Sequence, residues 1–312
     1  MRICVLGAGT MGHGIAQVSA MAGHDVTMRD IDESILEDGL DAIEANLQGG
    51  VDHDKVTPEE KAATLERIST TTDLESAASG SDLVVEAVPE DMDLKRQTFA
   101  DVEAVVDDDA IIGSNTSSLS VTEIASALDD PSRAVGLHFF NPVHIMGLVE
   151  VVVPEQASEY TVEFATDYTD DIGKEAVVVR DSAGFATSRL GVTLGVEAMR
   201  MVEEGVASPR DIDAAMELGY NHPMGPIELG DVVGLDVRLD ILEHLREELG
   251  ERFKPPQSLR RKVRAGKLGK KTGEGFYVWE DDEIVGVSDD AGAALGGSEF
   301  EAIDDEEGYV WE

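Results

Sequence analysis

The sequence predicts a doubly wound α/β sheet domain followed by an all-α C-terminal domain. Three observations carry that prediction: a glycine loop set between a strand and a helix, strand and helix patterns alternating as far as residue 182, and purely helical spacing beyond it. Residues 2–6, "RICVL", form a short apolar strand that runs directly into "GAGTMG". "HGIAQVSAMAG" then places apolar residues at helical spacing and ends on Gly23, a stop signal. "HDVTMRD" is a second strand closing on Asp30, and "IDESILEDGLDAIEANLQ", residues 31–48, is an amphipathic helix. The alternation returns in the strands "DLVVEAV" and "AIIGSNTS", each followed by a helix, "DLKRQTFADVEAVV" and "VTEIASAL". Strands separated by single helices pair in parallel, so the sheet is expected to be doubly wound. "GLHFFNPVHIMGLVEVV", residues 136–152, reads as strand, turn and second strand.

Beyond residue 182 the pattern is helical in "GFATSRLGVTLGVEAMRMVEEG", "SPRDIDAAMELG" and "GPIELGDVVGLDVRLDILEHLREELG", with a cap at Ser208 and stops at Gly205 and Gly219. The expected partition is a sheet domain over 1–182, a helical domain over 183–280, and an acidic extension over 281–312. That extension has no Lys or Arg and is expected to be a loosely held tail or a small added hairpin.

At 312 residues and 42% hydrophobic content, the chain is long enough for two domains with a substantial core. No apolar run approaches the ~20 residues that cross a bilayer, and "MRICVLGAG" lacks the basic region and cleavage site of a signal peptide. A cytoplasmic location is expected. The single cysteine, Cys4, lies in the first strand and reads as a small buried hydrophobe. It offers neither a disulfide nor a thiolate metal cluster, and the seven histidines show no metal-ligand spacing.

Charge is the outlying property: 65 Asp and Glu against 24 Lys and Arg give a net −41. The acids run along the whole chain, and such charge repels itself at ordinary ionic strength. Molar salt shortens the screening length from ~10 Å to ~3 Å, so a salt-adapted cytoplasm is the expected setting. The same sign makes nucleic acid or an anionic membrane an improbable partner.

The loop Gly7-Ala8-Gly9-Thr10-Met11-Gly12 matches G-x-G-x-x-G between a strand and a helix, and Asp30 closes the next strand 18 residues past Gly12. Gly7 permits the tight turn, Gly9 lets backbone approach a pyrophosphate, and Gly12 lets the helix pack on the strand. The helix that starts there offers N–H donors at Gly9, Thr10, Met11 and Gly12 and the positive end of its dipole. Asp30 would accept from ribose hydroxyls and repel a 2′-phosphate, which favours NAD over NADP. Arg29, beside it, softens that repulsion.

"SNTSSLS", residues 114–120, is a hydroxyl cluster at a strand end, placed equally well for a ligand or for capping the next helix. His138 and Glu150 lie among residues that belong in a core. If their strands are neighbours the side chains can meet, and the carboxylate would fix the imidazole tautomer and raise its basicity for general-base work; a satisfied core histidine is the alternative. Lys267, Lys270 and Lys271 concentrate positive charge in "GKLGKKTGEGFY", which suits an anionic ligand or an ordinary solvated turn.

"GAGTMGHGIAQ", "VVEAVPED", "SNTSSLS", "GLHFFNPVHIMGLVEVV", "DSAGF", "NHPMGPIELGDVVGLD" and "GKKTGEGFY" together resemble the L-3-hydroxyacyl-CoA dehydrogenase family, which includes 3-hydroxybutyryl-CoA dehydrogenases, in order over residues 1–279. The resemblance implies a Rossmann-type domain binding NAD, a helical domain forming a homodimer, and reversible oxidation of a 3-hydroxyacyl-CoA to the 3-ketoacyl-CoA. It implies His138 as the base, Glu150 as the carboxylate that orients it, and Ser117 and Asn141 beside the reacting oxygen and the nicotinamide. It also implies contacts from Glu90, Lys95 and Lys271 to NAD. One departure concerns the substrate: relatives carry asparagine beside the arginine after "GF", and this chain has Ser188-Arg189. A second is the acidic helix over 31–48, where relatives offer basic residues to the CoA phosphates. These departures keep a second reading, a dehydrogenase of a non-CoA hydroxy acid or sugar acid with the same dyad.

Overall fold

Arg2–Leu6 (β1) is buried from Ile3 onward, and its side chains alternate between two cores. Ile3 and Val5 join one cluster while Cys4 and Leu6 join the other, as a central strand covered by helices on both faces requires. Burial pushes the Cys4 thiol up to about 12, so it is an inert core residue. The structure is a computed structural model describing residues 1–289; of the extension expected over 281–312, the part from residue 290 lies outside the described residues. By its internal contacts the chain divides into two units, Met1–Ala186 and a second beginning at Thr187.

In the first unit β1 is followed by Thr10–Met21 (α1), Asp25–Arg29 (β2), Glu33–Asp52 (α2), Pro58–Glu66 (α3), Ile68–Thr71 (β3), Leu74–Ala78 (α4) and Leu83–Glu86 (β4). Met92–Glu103 (α5), Ile111–Ser114 (β5), Val121–Ala125 (α6), Ala134–Phe139 (β6), Leu148–Val153 (β7), Glu159–Asp171 (α7) and Glu175–Arg180 (β8) complete it. The sheet order is β3-β2-β1-β4-β5-β6-β7-β8. Strands β3 to β6 are parallel, β7 returns antiparallel to β6, and β8 runs parallel to β7. The sheet is therefore parallel from β3 to β6 and mixed beyond, where the strand, turn and second strand read over 136–152 stand in place of a crossover helix.

Three elements between residues 52 and 80 were not expected. α3 has a capping box, with Thr57 and Glu60 bonded reciprocally and Pro58 at its first position. β3, "ISTT", is a short polar edge strand with no apolar run to mark it.

The second unit holds Thr187–Glu203 (α8), Pro209–Tyr220 (α9), Pro226–Val233 (α10), Leu235–Leu249 (α11) and Gln257–Arg264 (α12). A hairpin of Tyr277–Glu280 (β9) and Glu283–Val287 (β10) follows. Ser208 caps α9 as expected, accepting from the Asp211 amide. Gly219 does not end that helix; it continues through Tyr220, and Asn221 takes the left-handed cap at φ 59°. The helical pattern over 225–250 is divided into two helices, because Gly234 at φ 105° turns the chain between α10 and α11. Asp231, fully buried, accepts from the Phe276 and Tyr277 amides at 2.9 Å and from Trp279 Nε1 at 3.1 Å, tying α10 to the hairpin. Asp213 accepts from the Ile227 and Glu228 amides at the start of α10 and from the Tyr277 hydroxyl.

Candidate active site

The loops that leave β1, β2, β4, β5 and β6 emerge at the C-terminal edge of the parallel strands, where open α/β sheets bind ligands. Every candidate of the first unit is on one of these loops or strand ends, except Glu150 on β7, Lys95 on α5 and the α1 start.

In the glycine loop, Gly7 has φ 99°, and a Cβ on Gly12 would stand 1.7 Å from the Gly7 carbonyl oxygen, so strand and helix meet there at backbone distance. Around Gly9 there is open space where a side chain would be, and α1 starts with no side-chain cap. Uncapped N–H groups beside that space are what a dinucleotide phosphate needs, and the residues present fit NAD. Asp30 accepts from the Ala8 amide at 2.9 Å and the Ile31 amide at 2.7 Å, so it braces the loop from the next strand. Arg29 is turned to the Thr72 carbonyl.

The hydroxyl cluster serves both of its readings. Ser120 caps α6 through the Glu123 amide and also bonds Asp181. Thr116, Ser117 and Ser118 instead converge on Glu90: Oε1 accepts from the Thr116 hydroxyl at 2.6 Å, the Ser117 amide at 3.1 Å, the Ser118 amide at 3.2 Å and the Ser118 hydroxyl at 2.9 Å. Lys95 Nζ stands 3.4 Å from the other oxygen. Burial alone would raise this carboxyl, but Lys95 and the hydroxyl and amide donors hold it below the usual carboxylate range.

Lys95 itself is fully buried, 2.6 Å from Glu86 Oε1, and Glu86 Oε2 accepts from the Ser114 hydroxyl at 2.7 Å. Sequence reasoning missed Glu86, whose acid character inside an apolar strand was the available signal. It also missed Asn115, whose Oδ1 accepts from the Phe139 amide at 2.9 Å and joins this loop to the end of β6.

His138 and Glu150 stand directly opposite in the β6–β7 register. The Nδ1–Oε2 distance is 2.8 Å, with the histidine 6% exposed and the glutamate 0%. A carboxylate accepts only, so Nδ1 carries the proton and Nε2 is left as an acceptor. Glu150 Oε1 accepts from the Ala186 amide at 3.0 Å. The imidazole packs against Phe140 at 4.4 Å and Phe185 at 5.6 Å between ring centroids. Phe185 adopts φ 47°, a strained conformation for an aromatic residue, at the end of the "DSAGF" turn, which brings its ring to His138 and the following Ala186 amide to Glu150. Asn141 lies exposed two residues past β6.

Ser188 and Lys271 belong to the second unit, Ser188 in the first turn of α8 and Lys271 paired to both oxygens of Asp236 at 2.6 and 2.7 Å. Lys267 pairs with Glu274 and Lys270 with Asp282, so this lysine cluster is matched by acids. No grouping of His, Cys, Asp or Glu among the described residues could hold a metal ion, and no described helix is long and apolar enough to cross a membrane.

Comparison with known proteins follows the same division. The NAD-binding domain of 3-hydroxyacyl-CoA dehydrogenase matches residues 2–182, and the C-terminal domain of 3-hydroxyacyl-CoA dehydrogenase matches residues 184–279. A 3-hydroxybutyryl-CoA dehydrogenase of Clostridioides difficile is 41% identical over 278 residues, 89% of this chain and 99% of the relative. The mitochondrial hydroxyacyl-coenzyme A dehydrogenase of Rattus norvegicus is 43% identical over 286 residues, 89% of this chain and 91% of the relative. Among solved structures, the (S)-3-hydroxybutyryl-CoA dehydrogenase of Ralstonia eutropha superposes with a TM-score of 0.87 at 38% identity, covering 90% of this chain and 99% of that one.

Proposed function

Since the chain belongs to the 3-hydroxyacyl-CoA dehydrogenase family, we propose that His138 is the general base in NAD-dependent oxidation of an L-3-hydroxyacyl-CoA to the 3-ketoacyl-CoA. The observation that carries this reading is the buried 2.8 Å pair of His138 Nδ1 with Glu150. Glu150 holds the ring with Nε2 free to take the proton of the 3-hydroxyl, and it stabilises the imidazolium that results. General-base catalysis of this kind is worth about 100- to 10,000-fold. NAD, when bound, supplies the hydride acceptor.

Ser117 and Asn141 hydrogen-bond the reacting oxygen and orient the substrate, and Ser188 takes the place of the family's asparagine, reaching the thioester through its shorter side chain or a bridging water. Gly7, Gly9, Thr10, Met11 and Gly12 cradle the pyrophosphate, and Asp30 takes the adenosine ribose. Glu90 contacts NAD, as does Lys271; the direct contact expected of Lys95 gives way to an indirect one, because its ammonium is buried against Glu86 at 2.6 Å with Glu90 at 3.4 Å. The functional partition is a cofactor domain over 1–182, a substrate and dimerisation domain over 183–280, and an extension over 281–312 whose first strand, β10, pairs back onto β9 of the second domain. The names of the relatives support a four-carbon substrate, 3-hydroxybutyryl-CoA.

A homodimer through the helical domain is supported by apolar side chains left exposed there, Leu218 at 87% and Tyr220 at 74%. The net charge of −41 supports a cytoplasmic enzyme working in high salt.

The test is NADH oxidation with acetoacetyl-CoA in ~2 M KCl, where charge repulsion is screened, for wild type and His138→Gln together. Turnover that falls at least ~100-fold in the variant, with NADH binding kept, supports the base assignment. A folded wild type that binds NADH but does not turn over acetoacetyl-CoA removes the substrate assignment. Activity that falls steadily from low to molar KCl removes salt adaptation, and a monomer on sedimentation in molar KCl removes the dimer.

A further inference from the structure

The turn between β6 and β7, residues 140–147, begins two residues after His138 and carries Asn141. It lies outside any helix or strand, and its tip is open to solvent, with Ile145 69% exposed. Inside the turn the Pro142 carbonyl accepts from the Ile145 and Met146 amides, both at 3.0 Å, and where the turn stands on the sheet depends on contacts from outside it. Val143 supplies one by packing on Gly14 of α1, where an added Cβ would come within 2.7 Å of it. The Glu175 amide supplies another by donating to the Gly147 carbonyl at 2.7 Å.

A further support is Lys174, at the entry to β8. Its ammonium donates to the carbonyls of Val143 and Met146, both at 2.6 Å, and the residue is 8% exposed. The other buried cations of the first unit sit on carboxylates, Lys95 on Glu86 and Arg133 on Glu103. Lys174 has no carboxylate partner among the described residues, in a chain with 65 Asp and Glu. A buried cation that rests on carbonyl dipoles alone is held at a cost, and what it secures is the path of the backbone.

We propose that Lys174 is a positioning residue for the reaction: by fixing the carbonyls of Val143 and Met146 it sets where Asn141 stands relative to His138. This rests on the reading of Asn141 as a group that orients the substrate.

The test is a double-mutant cycle in the full-length enzyme, with Lys174→Met, Asn141→Ala and both together, read as kcat, KM for acetoacetyl-CoA, NADH affinity by fluorescence, and melting temperature. A misplacement of about 1 Å at a reacting centre costs ~100-fold, so Lys174→Met should lower kcat about 10- to 100-fold while NADH affinity stays within about twofold. The double variant should be no slower than Asn141→Ala alone, whereas the two losses in melting temperature should add. Lys174→Gln, which keeps an N–H donor without the charge, should recover part of the kcat, and it carries the same cycle if Lys174→Met does not fold. Losses in kcat that multiply in the double variant, or a Lys174→Met enzyme of unchanged kcat beside an impaired Asn141→Ala, would overturn the inference alone. An Asn141→Ala enzyme of unchanged kcat would sink the reading of Asn141, and this inference with it.

Discussion

Each unit buries a carboxylate completely, and the two are held by different partners. Glu150, in the first unit, gives one oxygen to a titratable imidazole and the other to the Ala186 amide. Asp231, in the second, gives its oxygens to two backbone amides and an indole N–H, none of which titrates. Burial makes either charge costly, and hydrogen bonds offset that cost in both. The difference is what the charge is left able to do. Beside His138 it can stabilise a proton that arrives during turnover; at Asp231 it can only keep α10 and the hairpin in place. Fully buried acids are therefore not one class, and the partner's capacity to change protonation separates chemistry from architecture.

Glu150→Gln breaks this contrast most severely. The Ala186 amide demands the carbonyl oxygen of the new side chain, which turns its NH2 toward Nδ1 and forces the proton to Nε2, the wrong nitrogen for a base. Loss of kcat by at least ~100-fold is expected, with NADH binding intact. A variant within tenfold of wild type would show that the carboxylate does not set the tautomer. Asp231→Asn keeps one good acceptor for three buried donors and is expected to lower stability by about 2 kcal/mol in denaturant melts at molar KCl. No measurable change there would mean the three bonds are not made in solution.

A smaller effect sharpens the contrast through pH. Burial pushes the Asp231 carboxyl above the usual carboxylate range, against its N–H donors. A raised group contributes stability fully present below the ordinary carboxylate pKa and lost as pH rises through the folded value. Glu90 is depressed, so its contribution is present above the ordinary pKa and lost as pH falls through the folded value. As pH rises from about 4 to about 7, the melting-temperature gap from wild type to Asp231→Asn should narrow, whereas that to Glu90→Gln should widen as pH rises toward about 4.5 and stay level above it. Slopes of the same sign would contradict the opposed environments. Smallest is Ser208→Ala, which removes the cap of α9 and should cost about 1 kcal/mol with kcat unchanged.

What was legible in the sequence is what local backbone demands dictate. Gly7 and Gly12 are readable because a positive φ and a backbone-distance packing contact each require glycine. The dyad is readable because an acid and a histidine inside apolar strands invite pairing. Asn115 and Lys174 were not read, because each acquires its meaning from a partner distant in the chain: Phe139, 24 residues from Asn115, and Val143, 31 residues from Lys174. Glu86 was overlooked although an acid inside an apolar strand marks it in the same way as Glu150. The division of residues 225–250 into two helices was not legible, since the helical apolar spacing continues across Gly234 and the positive φ there makes the turn.

The pairing of β6 with β7 has one further consequence. His138 faces Glu150, while Leu137 and Phe139 face Val151 and Val149. Side chains alternate sides along a strand, so a slip of one residue would send the carboxylate to the opposite face of the sheet and put a valine against the imidazole. A misregistered chain would thus be silent, not merely slower. Turnover per mole of protein becomes a head count of correctly zipped hairpins, and in a refolding experiment the assay itself serves as the gauge of native yield.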